Sequence, residues 1–417
     1  MSGVARRMVV DRDGTTPVDA EDTRTRASRA WKSALDRLRS ATALHWGMRY
    51  DAVIIGGGIA GTSLSCFAAQ RGMKVAVIEA EDHLGYHASG RSAAVTSMLD
   101  DNPTVQRLKR MGRAFFDAPP PGLFPRPVVD RRGTLELFSE VGWDGFEADY
   151  ARALASGMDI QLLEPGQTIE HVPALEADAF ACAVLVPGDG NLDVHEMLSS
   201  YRRRAEACGT VFHLGERVHE ILVADGRCRA VVTESGQYSC DWVVDAAGAW
   251  VGEIAALAGA TAIVCEPRRR CAVVFDHPPG CDVGSWPLVV ARDHRFYFKP
   301  ESGGLLFSPM DQVPQPPLDA RADDETIAAG LQRLGQVAPT LVPTAVRRRW
   351  AGLRTFSPDD VPIVGRDDRR AGFFWLACQA GYGVETSGVL GQIAADLLVD
   401  GQTAHFDASL LSPARFT

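Results

Sequence analysis

Nowhere in the 417 residues is there an unbroken apolar run long enough to cross a bilayer, which takes about 20 residues. No transmembrane segment is therefore expected. Cysteine occurs nine times, an odd number and never as C-x-x-C. That argues against a disulfide framework and against a zinc or other metal site, and it fits a reducing cytoplasm. Positive charge is outweighed, with 43 Lys and Arg against 53 Asp and Glu for a net charge of −10. A general affinity for nucleic acid is not expected from such a balance. No internal repeat is visible. The start does not read as a signal peptide, because Arg6-Arg7 is followed only by Met8-Val9-Val10 before charges resume. Residues 1–47 are polar and rich in Arg, Asp and Thr, and are expected to form a disordered extension. Met48 just before the first strand leaves an over-extended start as the alternative.

What is present is an ordinary globular composition, 46% hydrophobic and 23% charged, in a chain long enough for two domains. The run Asp51-Ala-Val-Ile-Ile55 reads as a buried parallel strand, residues 59–70 as a helix and 73–78 as a second strand. Further helices are expected over 103–116, 143–155, 324–337 and from about 386 to 399. Another should follow Asp193 as its N-cap. Strands are expected at 134–138, 181–186, 218–223, 227–233, 242–244 and 373–377, with long alternating strands between 268 and 310. The Pro- and Asp-rich segment 313–323 reads as a loop. Strand–helix character returns at the start, middle and end of the chain. This predicts an α/β (α+β mix) fold with a discontinuous Rossmann-like nucleotide domain (48–120, 190–265 and 350–417). A discontinuous β-rich substrate domain (121–189 and 266–349) completes the division.

Between the first strand and helix stands Gly56-Gly57-Gly58-Ile59-Ala60-Gly61, a G-x-G-x-x-G in its proper context. Gly56 permits a tight turn, Gly58 lets a diphosphate approach the backbone, and Gly61 allows close helix–strand contact. The helix N-terminus, with Ile59 and Ala60 in its first turn, offers N–H groups and partial positive charge. Glu79 closes the second strand, where a carboxylate can accept from ribose hydroxyls and disfavours a 2′-phosphate. A dinucleotide follows, with NAD and FAD both open at this point.

Three further stretches resemble the D-amino-acid oxidase superfamily of FAD-dependent oxidoreductases, with the narrower likeness to bacterial D-arginine dehydrogenases. They are Gly85-Tyr-His-Ala-Ser-Gly-Arg-Ser-Ala-Ala94, then Val243-Val-Asp-Ala-Ala-Gly-Ala-Trp250, and finally Trp350-Ala-Gly-Leu-Arg-Thr-Phe356 with Phe373 to Ser387. The likeness runs from about residue 50 to the C-terminus. It implies FAD as cofactor, held noncovalently, since the position of the flavin-linked cysteine of sarcosine oxidases falls near Gly352-Leu353. It further implies cofactor contacts from Arg91, Ser92, Ala93 and Ala94, from Val218 at the adenine, and from Ala247, Gly248 and Trp250. Gly352, Arg354 and the segment Gly381, Tyr382, Gly383, Val384, Glu385 and Thr386 complete that set. The bare loop before the last helix would aim N–H dipoles at the flavin edge where charge gathers on reduction.

For the substrate, the resemblance implies a carboxylate gripped by Arg354 and Arg270, with Tyr297 adding a phenol; Arg268 and Arg269 compete with Arg270 for that place. A guanidinium fork suits this because two parallel N–H bonds fix orientation as well as charge. The activity implied is oxidation of the amine-bearing carbon of a D-amino acid or related amino acid. Hydride passes to flavin N5, and the imine hydrolyses to an oxo acid. The electron acceptor (oxygen, quinone or another carrier) stays open. Oxidation of a 2-hydroxy acid, or service as a flavin-binding subunit of a larger amine dehydrogenase, are the alternatives. Departures fall in the side-chain pocket. Val95, Asp100, Thr134 and Glu385 stand where D-arginine dehydrogenases carry histidine, tyrosine, a carboxylate and glutamine. Asp100 and Glu385 either favour a cationic group, or the run Asp100-Asp101-Asn102 caps the helix that follows and Glu385 complements a helix N-terminus.

Overall fold

The computed structural model describes residues 49–417; the expected N-terminal extension lies outside them. The apolar run at the start forms the strand Arg49–Ile55, whose last four residues are all buried. It is the centre of a parallel array. Val75–Ile78 and then Val211–His213 lie on one side, Gly236–Asp245 and then Phe373–Ala377 on the other. Strands buried on both faces need apolar residues at every position rather than at alternate ones, which is why these runs are continuous. The long strand Gly236–Asp245 does double duty. Its first half pairs antiparallel with Arg227–Thr233, which folds back onto Val218–Ala224 through a turn at Asp225-Gly226, both with positive φ. Ile363–Arg366 adds an antiparallel edge, giving eight strands in all.

Helices Ile59–Gln70, Pro103–Asp117, Val194–Ala207 and Ser387–Val399 share one core with one face of this sheet. The opposite face is covered by Val251–Ala258 and the antiparallel strands. Capping follows the sequence. Asp193 accepts from Glu196 N–H, and Asn102 takes the N–H groups of Thr104 and Val105 ahead of Pro103. The expected helix 143–155 starts earlier, at Glu140, because Ser139 supplies a cap to Gly142.

A nine-stranded sheet is built from Thr134–Phe138, Gln161–Leu163, Cys182–Val186 and the strands between 266 and 356. Glu266–Phe275 pairs antiparallel with Arg348–Phe356 over nine consecutive positions. The tryptophan–arginine motif is therefore a strand of this second sheet, and the boundary drawn at 350 cuts through it. Within the expected loop 313–323, Val313–Pro314 forms a short strand against Arg268 and Arg269. A small three-stranded sheet (Val95–Thr96, Gly190–Leu192, Val129–Arg131) completes the layout. No helix among the described residues is long and apolar enough to cross a membrane.

The helix Pro103–Asp117 crosses the start of the last helix so closely that a Cβ at Gly112 would lie 2.2 Å from the Glu385 carbonyl oxygen. Backbone cannot retreat as a side-chain tip can. Gly112→Val should lower stability by about 1–3 kcal/mol, the usual cost of overpacking, read from urea unfolding.

Candidate active site

Where the parallel strands end, a cleft opens between the two sheets. Its length brings together the turn at Gly56 and Gly58, Glu79 at the end of the second strand, and Val218. Ala247, Gly248 and Trp250 follow, then Gly352 and Arg354, and lastly Gly381, Gly383 and Val384. Three glycines of the turn have separate causes. Gly56 has φ 107°, and a Cβ there would lie 2.4 Å from the Ala246 carbonyl oxygen. At Gly61 a Cβ would lie 2.0 Å from the Gly56 oxygen, so this residue serves helix–strand packing and does not line the cleft. Gly58 has ordinary extended backbone, and its Cβ would meet only Ser89 Oγ, at 3.3 Å. Packing makes only a small demand for glycine there, and the bare backbone leaves room for a group to lie against it.

The helix Ile59–Gln70 starts at Gly58 without a side-chain cap, although Ser89 Oγ accepts from Ile59 N–H at 2.9 Å. Glu79 accepts from Gly57 N–H at 2.7 Å and Glu81 N–H at 2.9 Å, one bond to each oxygen. Each oxygen keeps a second lone pair for a hydroxyl. A tight cradle at a helix N-terminus, a carboxylate 22 residues on from the turn and a cleft lined from that turn to the Gly381 loop fit a flavin dinucleotide. Among the described residues, no cluster of His, Cys, Asp or Glu could hold a metal.

Alternation along the second sheet decides which arginines face the cleft. Arg268 and Arg354 are direct cross-strand partners, and Arg270 lies opposite Gly352, so all three share one face. Arg269 is on the other face, paired with Asp311 at 3.1 Å and bonded to Thr326. Arg268 is occupied by Glu266 and lies over the Phe356 ring. Arg270 and Arg354 therefore reach the cleft, together with Tyr297 from a neighbouring strand. Arg270 is 7% exposed and donates Nε–H to the Asp311 carbonyl at 2.7 Å. Arg354 makes no hydrogen bond or ion pair among the described residues, and Tyr297 no hydrogen bond. Burial and the like charge of Arg354 push Arg270 down to about 9, still cationic at neutral pH. Two guanidiniums, Arg270 buried and Arg354 half-buried, share one wall of the cleft with no ion-paired acid among the described residues. That arrangement is costly unless an anion comes to it.

Other sequence candidates stand elsewhere. Arg91 lines the cleft, but its guanidinium is spent on Asp319 and on the carbonyls of Ala320 and Ala351. Ser92 and Ala93 line the cleft too; Ala94, with φ 51°, does not. Tyr382 turns its hydroxyl to the Asp360 carbonyl, and Thr386 bonds back to the Tyr382 carbonyl. Glu385 is buried away from the cleft, accepting from Ser97 N–H at 2.9 Å with Lys109 Nζ at 3.7 Å; Asp100 pairs with the same lysine at 2.9 Å. The run Asp100-Asp101-Asn102 does cap the helix that follows, through Asn102, while the carboxylates of Asp100 and Glu385 surround Lys109. Sequence reasoning passed over Leu318 and Ala320 of the loop 313–323 and Ile254 and Leu257 of the helix Val251–Ala258, which also line the cleft. A loop of prolines and aspartates carries no signal for such a role. His87 and Gln379 were within reach, since both belong to quoted motifs.

The match to known proteins decides the family. Residues 51–397 fit the family model described as DAO, FAD dependent oxidoreductase. The chain belongs to this family. FAD is its cofactor, and it is an FAD-dependent oxidoreductase. Glycine oxidase of Geobacillus kaustophilus is 27% identical over 379 residues, covering 88% of this chain and 97% of that protein. Its crystal structure superposes with a TM-score of 0.75 at 26% identity, covering 87% and 98% of the two chains. Mouse mitochondrial dimethylglycine dehydrogenase is 23% identical, but this chain, 89% covered, spans only 44% of its length. The L-proline dehydrogenase of P. horikoshii, at 23% identity, 88% and 98% coverage and TM-score 0.79, shares the fold. The narrower likeness to D-arginine dehydrogenases thus gives way to glycine oxidase and dimethylglycine dehydrogenase types.

Gly58→Val should keep the fold, because its Cβ finds room, yet lose FAD; the ratio of flavin to protein absorbance in the purified protein checks this. Behind the loop, Asp189 is 0% exposed and pushed up to about 8, first by burial and also by Glu385 and Glu136. The Met98 N–H, at 3.2 Å, and Arg113 oppose this. Its ordinary value is 3.8, so between the two values the fold holds a proton that the unfolded chain has lost. Stability therefore falls as pH rises through this window, by up to about 1.4 kcal/mol per unit. Asp189→Asn should flatten that part of the slope in urea melts at pH 5.5 and 7.5.

Proposed function

We propose that this enzyme oxidises the amine-bearing carbon of a small free amino acid, D-configured or N-alkylated, with FAD bound noncovalently. One observation carries the reading: Arg270 and Arg354, both without an acid partner among the described residues, face one cleft with the Tyr297 phenol. A substrate carboxylate supplies the missing anion. The relatives' names point the same way, since glycine and dimethylglycine each carry a carboxylate beside the amine-bearing carbon and no charged side chain. A cationic side chain finds no support in Asp100 and Glu385, both of which are spent around Lys109.

FAD, when bound, supplies the two-electron acceptor. Arg270 and Arg354 clamp the carboxylate through charge-assisted hydrogen bonds, and Tyr297 donates to the same group. Pinning one end of the substrate fixes the Cα–H direction, the entropic part of catalysis. No side chain is assigned as base, because an amine arriving unprotonated needs none. The product imine hydrolyses in water to an oxo acid. All nine cysteines are free thiols, which suits a cytoplasmic setting.

Anaerobic mixing of the yellow protein with D-amino, L-amino, N-methyl amino and 2-hydroxy acids tests this. Bleaching by an amino acid or its N-methyl derivative, and not by hydroxy acids, is expected; admission of air then separates oxidase from dehydrogenase. Arg354→Ala should cost about 10²-fold or more in kcat/KM, as truncation of one partner of a buried charge pair does. Bleaching at the wild-type rate would remove Arg354 from the clamp.

A further inference from the structure

We propose that Glu385 and Lys109 form a buried brace behind the cleft wall, which holds loop 381–384 where its N–H groups meet the bound cofactor. This goes beyond the proposed substrate and does not depend on it. It rests on the reading that this loop lies against the flavin.

Three segments build the brace. Gly381, Gly383 and Val384 line the cleft, and at Glu385 the chain leaves it. Glu385 Oε2 accepts from Ser97 N–H at 2.9 Å, and its Oε1 lies 3.7 Å from Lys109 Nζ. Lys109 comes from the helix Pro103–Asp117 and also meets Asp100 Oδ2 at 2.9 Å and the Leu99 carbonyl at 3.5 Å. Its ammonium stands 5.8 Å from the centre of the Tyr382 ring, within the loop itself. Three residues further along the same helix face, Gly112 lets the helix press on the Glu385 carbonyl. One helix face thus fixes Glu385 twice, by side chain and by backbone. The other end of the loop is fixed separately, by Ala380 N–H on the Thr355 carbonyl at 3.0 Å. Ser97 follows the short strand Val95–Thr96, and the chain just before that strand lines the cleft at Ser92 and Ala93. Glu385 therefore ties two walls of the site together from behind.

Lys109 is 8% exposed and Glu385 6%. Burying such charges is costly, and apolar residues of like volume often serve stability as well. What an apolar pair lacks is direction, which a charged hydrogen-bonded pair supplies. Burial opposes the charge on Lys109, yet Glu385 and Asp100 outweigh it and hold the ammonium above its ordinary value. Neither side chain lines the cleft, so both are positioning residues that act through the loop. Fixed N–H dipoles stabilise charge developing on a bound group because they need not reorganise first. A loop free to shift loses part of that effect, and the loss shows wherever the flavin takes on negative charge.

Sulfite tests this without substrate. It adds to flavin N5, leaves negative charge on the N1–C2=O edge and bleaches the yellow band. The FAD-loaded enzyme is titrated at pH 8, above the value of about 7 to which burial pushes Glu385, so that its carboxylate is charged. Lys109→Met removes the cation. Glu385→Gln can still accept from Ser97 N–H but turns an amide NH₂ toward Lys109, which breaks the pair. Each is expected to weaken sulfite binding by about tenfold or more, short of the roughly 10²–10³-fold for losing a dipole donor outright. The flavin potential should move negative in both, with FAD content as in wild type, and Lys109→Arg should recover most of the loss.

The two variants remove opposite charges, so a purely electrostatic influence would move sulfite affinity in opposite directions. Opposite shifts, or unchanged affinity in both, would overturn the brace. Gly383→Val alters the loop itself, since a Cβ there would lie 2.9 Å from Gln379 Cβ. Weaker binding in that variant with the pair variants unchanged refutes the brace alone. No change in all three also refutes the placing of the loop against the flavin. Should Lys109→Met fail to fold, the near-isosteric Glu385→Gln decides by sign: weaker sulfite binding supports the brace, and equal or tighter binding refutes it.

Discussion

The antiparallel register between Glu266–Phe275 and Arg348–Phe356 governs what the cleft can hold. With nine consecutive partners, it places Arg270, Ala272 and Arg354 toward the cleft, while Cys271, Val273 and Ala351 enter the core of the second sheet. A slip of one residue would exchange the two sets, burying guanidiniums among phenylalanines. The apolar residues on the core side thus fix the arginines on the other. Specificity at the site is anchored by packing that never touches a ligand.

Legibility from sequence follows the same physics. The parallel strands and the helix Ile59–Gln70 were readable because burial on both faces leaves continuous apolar runs and the glycine turn punctuates them. Thr134–Phe138, Arg227–Thr233, Asp324–Val337 and Phe373–Ala377 fall where patterning put them. The strand holding the Trp350 motif was less legible, because charged and apolar residues mix along it and its partner lies some eighty positions earlier. Arg268, Arg269 and Arg270 could not be told apart by composition. Only the parity of a strand whose register is set at long range separates them.

Glu385 shows the opposite limit. It directly follows a residue of the cleft wall, so sequence placed it with the cofactor segment, yet the loop turns there and sends its carboxylate toward Lys109. Asp100, Asp189 and Glu136 gather in the same region, with Lys109, Arg113 and Arg292 as counterions. Burial pushes Glu385 up to about 7 and Asp189 to about 8, so these two carboxyls hold their protons more readily than free ones do. Neighbours in sequence are neighbours in space only as far as the next turn.

The two groupings together make an electrostatic argument about the substrate. Acids that could have met a cation are folded away beside a lysine, and the guanidiniums that could have been neutralised by those acids are left facing the cleft. A protein pays stability for each unpaired buried cation, and the cost is recovered only when an anion binds. On the proposed reading, the ligand this site rewards carries a carboxylate and gains nothing from a positive side chain. Arg270 sharpens the preference: burial and Arg354 weaken its hold on a proton, so a bound carboxylate both pairs with it and restores that hold. Charge on the substrate and charge on the arginine stabilise each other, and an uncharged amine has no such partner.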